Sequence, residues 1–152
     1  MNLITVSGPP SSGKTALIIK TIESLKIRKL KVGVVKFDCL YTDDDKLYEK
    51  AGVPVKKGLS GSLCPDHYFV SNIEEVVQWG RKEDLDVLIT ESAGLCNRCS
   101  PYIQNIKAVC VIDNLSGINT PKKIGPMLKT ADIVVITKGD IVSQAEREVF
   151  AS

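Results

Sequence analysis

No run of apolar residues in this chain is long enough to span a bilayer, and no basic segment followed by an apolar stretch opens it. Met1-Asn2-Leu3-Ile4-Thr5-Val6 runs straight into a strand and then a glycine loop. A signal peptide and a membrane anchor are therefore not expected, and the expected location is the cytosol. Charge of one sign is missing too. The net charge is +2, with acids and bases interleaved, which gives no footing for nucleic acid or an anionic membrane as partner. Internal repeats, linkers and low-complexity tracts are absent. Residues 1–152 are thus expected to form one domain, long enough to bury a core without staples. Cysteine is present five times, an odd count that does not suit a disulfide framework in a reducing compartment. What remains for those thiols is burial, metal ligation or redox chemistry, and position must decide.

Short β-branched runs recur at Leu3–Val6, Val32–Val35, Val87–Thr90, Ala108–Ile112 and Ile133–Thr137. They are apolar throughout rather than alternating, as in strands covered on both faces of a parallel sheet. Helical spacing fills the gaps, with Ala16, Leu17, Ile19, Ile22 and Leu25 after the first run and Ile73, Val76, Val77 and Trp79 before the third. The pattern predicts an α/β fold, a three-layer, doubly wound, mostly parallel sheet with right-handed crossovers. Asp38 to Tyr68 reads as the least regular stretch, holding a short helix up to Ala51 and then a Gly/Pro/Ser-rich run. So long a loop in a compact domain is usually functional.

Gly8-Pro9-Pro10-Ser11-Ser12-Gly13-Lys14-Thr15 fits G-x-x-x-x-G-K-[ST], directly after a strand and opening a helix. The glycines let backbone N–H groups turn inward around an anion, Lys14 reaches the terminal phosphates, and the Thr15 hydroxyl ligates magnesium. This makes the chain a P-loop NTPase that takes GTP or ATP with Mg2+. Asp38, at the end of the second expected strand, is placed to reach the magnesium or its water, with a strand cap as the plain alternative. Glu91-Ser92-Ala93-Gly94 ends the third expected strand. Glu91 there joins the magnesium shell, and Gly94 offers its N–H to a γ-phosphate. Lys14, Asp38 and Glu91 are the candidate catalytic groups. Thr137-Lys138-Gly139-Asp140 ends the last strand. Asp140 can pair with the N1 and N2 donors of guanine while the Lys138 stem packs over the base; a solvated turn is the alternative.

Cys96-Asn97-Arg98-Cys99 has the spacing that lets two thiolates grip one zinc, nickel or cluster iron. Cys64 and His67, the chain's single histidine, form a second half-site at chelating spacing. Cys96 follows Gly94 by two residues, so a metal site would ride on the segment that senses the γ-phosphate. Cys39 and Cys110 read as ordinary residues, Cys110 because it lies within a buried strand.

Taken together, these segments resemble the nickel-insertion GTPases of hydrogenase and urease maturation. The likeness is carried by the P-loop, by Val35-Lys36-Phe37-Asp38 through Asp44, and by Ala51-Gly52-Val53-Pro54-Val55. The segment Lys31-Val32-Gly33-Val34-Val35-Lys36 is also similar to the adapter protein of molybdopterin guanine dinucleotide synthesis. The resemblance implies GTP hydrolysis, nucleotide-dependent homodimers, and delivery of a metal to a client metalloenzyme. It further implies that Cys64 and Cys96 match the family's metal cysteines, with Pro65 replacing a histidine and Cys99 an addition. Thr137 stands where the family has Asn. The chain ends 12 residues after Asp140, where the family continues with another strand and helix. Two other classes stay open: an ATPase carrying an iron–sulfur cluster or electrons, and a small-molecule kinase, although no arginine-rich lid is visible.

Overall fold

The computed structural model describes residues 1–9, 11–38, 44–59, 61, 68–69, 71–92, 106–115, 125–141 and 143–151. In chain order the elements are β1 (Asn2–Ser7), α1 (Lys14–Ile27), β2 (Val32–Asp38), α2 (Asp44–Lys50), β3 (Val55–Leu59), α3 (Ile73–Lys82), β4 (Val87–Ser92), β5 (Lys107–Asp113), α4 (Gly125–Lys129), β6 (Ile133–Thr137) and α5 (Gln144–Ala151), with a 3-10 turn at Gly139–Ile141. The strands form one sheet in the order β3-β2-β4-β1-β5-β6, and every pair is parallel. The expected three-layer α/β architecture is borne out.

Period-two alternation in the strands sorts side chains to two covered faces. Val6, Val34, Ile89 and Val111 point to the side covered by Ile18 and Ile22 of α1 and Tyr48 of α2. Val35, Phe37 and Leu88 point to the other side, against Val76 of α3 and against Phe69, which precedes that helix. Beyond them Cys110 and Ile112 meet Leu128 of α4. Cys110 is thus a core residue, as its strand position implies. Ile18 and Ile22 are almost fully buried, each stabilising the fold by about 1.5–3 kcal/mol through apolar burial. On α3, Glu74 and Glu75 lie in the first turn and Arg81 and Lys82 in the last, a charge order that complements the helix dipole.

One strand went unread. Val55–Leu59, Val-Lys-Lys-Gly-Leu, lies inside the stretch expected to be irregular, yet it pairs with Val34–Asp38 of β2. It lacks the apolar run that marks the central strands, because it pairs with β2 alone among the described residues, and edge strands commonly carry lysines. The short helix before it is α2, as expected.

The crossovers set the site's place. β1 leaves through α1 toward β2, two strands away, while β5 lies on the opposite side of β1. At such a reversal the loops after the strands splay apart and leave a crevice at the carboxyl end of the sheet. The C-terminal residues of β1, β2, β4, β5 and β6, with Ser7, Asp38, Ser92, Asp113 and Thr137 at their ends, all lie on that edge.

Candidate nucleotide site

The loop between β1 and α1 is fixed by two glycines that no other residue replaces without movement. A Cβ at Gly8 would lie 2.1 Å from the carbonyl oxygen of Val111 on β5. Gly13 has φ 95°, in the left-handed region, and immediately precedes α1. No side chain caps that helix start and no acidic residue occupies its first turn. The first N–H groups of a 14-residue helix therefore face the loop, a ready-made anion site. The Lys14 ammonium is buried and donates to the carbonyls of Gly8, at 3.1 Å, and Pro9, at 2.7 Å. It is thereby held over the loop's concave side, where phosphate oxygens bind in such loops.

The next residue, Thr15, donates its hydroxyl to Glu91 Oε1 at 2.9 Å. Glu91 is 1% exposed, and a carboxylate so deeply buried needs compensation. Two further groups supply it. Lys36 Nζ donates to the same Oε1 at 2.7 Å, and the Tyr48 hydroxyl donates to Oε2. The register explains the first of these, since Lys36 of β2 and Glu91 of β4 are direct partners on adjacent strands. Hard oxygen donors from Thr15 and Glu91 converge on one spot beside the phosphate loop, the donor chemistry that magnesium prefers. The residues fit that ion, and Thr15 and Glu91 are the side chains that would hold it. Asp38 ends β2 one residue beyond the Phe37–Ser92 pair, at the rim of the same crevice.

A second cluster lies across β5 and β6. The Thr137 hydroxyl donates to the Ser12 carbonyl at 2.6 Å, so the end of β6 is tied to the phosphate loop. Lys138 Nζ donates to the Ser11 carbonyl at 2.9 Å and pairs with Asp113 Oδ2 at 3.0 Å. Ser11 and Lys138 both have φ near 60°, strained for residues with a Cβ and common at functional sites. Asp113 is pinned through Oδ1 by the N–H of Leu115. Asp140 follows in the 3-10 turn, exposed to solvent.

The described part of the expected constellation thus falls on one edge of the sheet. Gly8, Ser11, Ser12, Gly13, Lys14, Thr15 and Glu91 form one end of it, and Lys138 and Asp140 the other. Pro10, Gly94, Cys64, His67, Cys96 and Cys99 lie outside the described residues, as does Cys39. Among the described residues no group of three or more His, Cys, Asp or Glu could hold a metal ion.

Sequence reading missed Lys36, Tyr48 and Asp113. Lys36 carried a signal: it is the one charge inside a strand otherwise apolar up to Asp38. Tyr48 and Asp113 carried none until the fold set them against Glu91 and Lys138.

The description "CobW/HypB/UreG, nucleotide-binding domain" belongs to the family model that matches residues 2–152. The chain is 57% identical over 150 residues to an uncharacterised protein of Methanocaldococcus jannaschii, covering 99% of this chain and 64% of that protein. The chain therefore spans about two thirds of the length of this relative. It is 28% identical over 149 residues to urease accessory protein UreG 2 of a Bradyrhizobium species, covering 91% of this chain and 69% of the relative. Among solved structures, HypB from Helicobacter pylori in complex with nickel superposes with a TM-score of 0.72 at 23% identity, over 99% of this chain and 68% of that one. The signal recognition particle receptor FtsY from Elizabethkingia anophelis gives 0.71 at 24%, over 98% and 54%. At these identities the two structures speak for the fold, that of a P-loop NTPase.

Proposed function

Because the chain belongs to the CobW/HypB/UreG family, as a nucleotide-binding domain with a P-loop NTPase fold, we propose that it binds and hydrolyses GTP with magnesium and serves the maturation of a metalloenzyme. The observation that carries this reading is the convergence of Lys14, Thr15 and Glu91 at one end of the sheet, beside a helix start free of side-chain caps. Lys14 binds the terminal phosphates, the α1 N–H groups line them, and Thr15 and Glu91 orient the metal. Magnesium, when bound, withdraws charge from the transferring phosphoryl group. Asp38 holds the water shell, Gly94 answers to the γ-phosphate, and Asp140 reads guanine.

Two relatives support a role in handling metal for an enzyme: one is a urease accessory protein and another was crystallised in complex with nickel. In this chain Cys96 and Cys99, with Cys64 and His67, are the candidate ligands for zinc, nickel or an iron–sulfur centre. Two such Cys-x-x-Cys pairs across a homodimer would supply four thiolates. The protein is expected to work in the cytoplasm; no described helix is long and apolar enough to cross a membrane.

Two measurements test the reading. Labelled GTP and ATP should both be assayed, and release of inorganic phosphate faster from GTP is expected. Bound metal should then be measured after anaerobic loading with nickel or zinc, in the parent and in the Cys96→Ser, Cys99→Ser double variant. Loss of metal with retained hydrolysis is expected. Transfer of the phosphate to anything but water defeats the hydrolase reading, and equal metal in both proteins defeats the carrier reading.

A further inference from the structure

The reading above uses Glu91 but leaves Lys36 and Tyr48 without a task. Packing alone does not account for Lys36. Its side chain is 3% exposed in a strand whose other covered residues are apolar or glycine, and replacing a buried ion pair by apolar residues is often neutral or stabilising. Tyr48 is fully buried at the inner face of α2, yet its hydroxyl is spent on Glu91 Oε2. Three donors from three elements thus converge on one carboxylate: Thr15 of α1, Lys36 of β2 and Tyr48 of α2.

We propose that Lys36 and Tyr48 are positioning residues that condition Glu91, so that magnesium is taken up only together with a nucleotide. The inference rests on the nucleotide reading of the site. Tyr48 fixes the orientation. With Oε2 tied to a rigid ring in the core, the carboxylate keeps Oε1 turned toward Thr15 and loses no further rotamer freedom when the ion arrives. Lys36 sets the charge. An ammonium 2.7 Å from Oε1 cancels the carboxylate's attraction for a free divalent cation, because it repels the ion from almost the same distance. A nucleotide brings its own negative phosphates, and the balance then favours the ion. The same bond makes α2 a reporter, since a shift of Glu91 on ligation is felt at Tyr48.

The test uses the whole chain, magnesium chloride and a fluorescent GTP analogue. Tyr48→Phe keeps the buried ring and removes only the hydroxyl. It should raise the magnesium concentration for half-maximal nucleotide binding about tenfold, the loss of one hydrogen bond to a charged group. Affinity in excess EDTA should stay at the parent value, a split that a merely structural role would not produce. Lys36→Met leaves Glu91 without its cation. That variant should gain a magnesium-dependent rise in melting temperature without nucleotide, which the parent lacks. A parental magnesium midpoint in Tyr48→Phe overturns the positioning role. The charge role is overturned if Lys36→Met gains no magnesium stabilisation, including by failing to fold at any magnesium level. If the parent itself binds no GTP analogue, the nucleotide reading falls and this inference with it. If the parent binds with magnesium and both variants match it, only the inference falls.

Discussion

The two ends of the crevice are built in opposite ways. At the phosphate end, β1, β2 and β4 are central strands, and Lys14, Lys36, Glu91 and Tyr48 are all buried. Position there is imposed by the core: Gly8 touches the backbone of Val111, and the charged groups are locked by partners from separate elements. At the other end β6 pairs, among the described residues, with β5 alone, and Ile133, Val134 and Ile136 remain exposed. Its groups are tied to the phosphate loop by side-chain bonds, Thr137 to Ser12 and Lys138 to Ser11. The difference teaches how one fold divides its labour. On the proposed reading, phosphate chemistry, the same for every nucleotide, would be fixed by burial, whereas base choice would rest on a few replaceable contacts at the surface.

Breaking the buried end should cost most. Glu91→Ala removes one partner of an ion pair that is almost fully out of solvent and takes the Glu91 charge from beside the buried Lys36 ammonium. The expected loss is about 3–5 kcal/mol of folding stability, read by urea denaturation, together with loss of magnesium-dependent binding. A loss under about 1 kcal/mol would mean that water reaches Lys36, and the contrast between the two ends would weaken.

Lys14→Ala comes next. The fold should survive, because Lys14, though buried, belongs to none of the apolar clusters of the core among the described residues, while nucleotide affinity falls by about 1.5–3 kcal/mol, roughly ten- to a hundredfold. Calorimetric titration with GTP and with ATP checks this, and both should fall alike if the phosphate end ignores the base. Unchanged affinity would remove the P-loop reading.

The exposed end is expected to alter choice rather than strength. Asp140→Asn should leave stability untouched and shift preference from GTP toward the xanthosine nucleotide by about tenfold, since the new amide offers a donor where xanthine presents an acceptor. Equal competition by ATP and GTP in the parent would show instead that Asp140 does not read the base.

The same contrast explains what was legible beforehand. Strands buried on both faces announce themselves as unbroken apolar runs, so β1, β2, β4 and β5 could be read from residue types alone; β6 carries the same apolar run, although most of its residues are exposed here. β3 could not, because an edge strand with two lysines is held by its neighbour's hydrogen bonds rather than by its own composition. The phosphate loop was legible because its chemistry is contiguous in sequence, running from Gly8 to Thr15. The Glu91 cluster was legible only in part. Its members are separated by 76, 55 and 43 positions, and no local pattern links residues that meet only through strand register and helix packing.

The smallest expected effect is at Thr137, and it bears most directly on how the two ends communicate. Family resemblance sets an asparagine at this position, so a threonine suggests a weakened base site. The geometry gives the hydroxyl a job of its own: at 2.6 Å from the Ser12 carbonyl it joins β6 to the phosphate loop. The neighbouring Lys138–Ser11 bond runs parallel to it, so the join does not depend on one contact. Thr137→Val preserves shape and branching and removes only that donor, leaving one carbonyl to find water at a half-buried site. The cost should be about 0.5–1.5 kcal/mol in stability, the net value of a neutral hydrogen bond. GTP affinity should fall only severalfold, with ATP affinity unchanged, because the phosphate groups stay where the core holds them. Thr137→Asn retains a donor at this position and should behave as the parent does. If Thr137→Val instead weakens GTP and ATP equally, the bond to Ser12 shapes the phosphate loop itself, and the two ends form one cooperative unit rather than a fixed half and a tunable half.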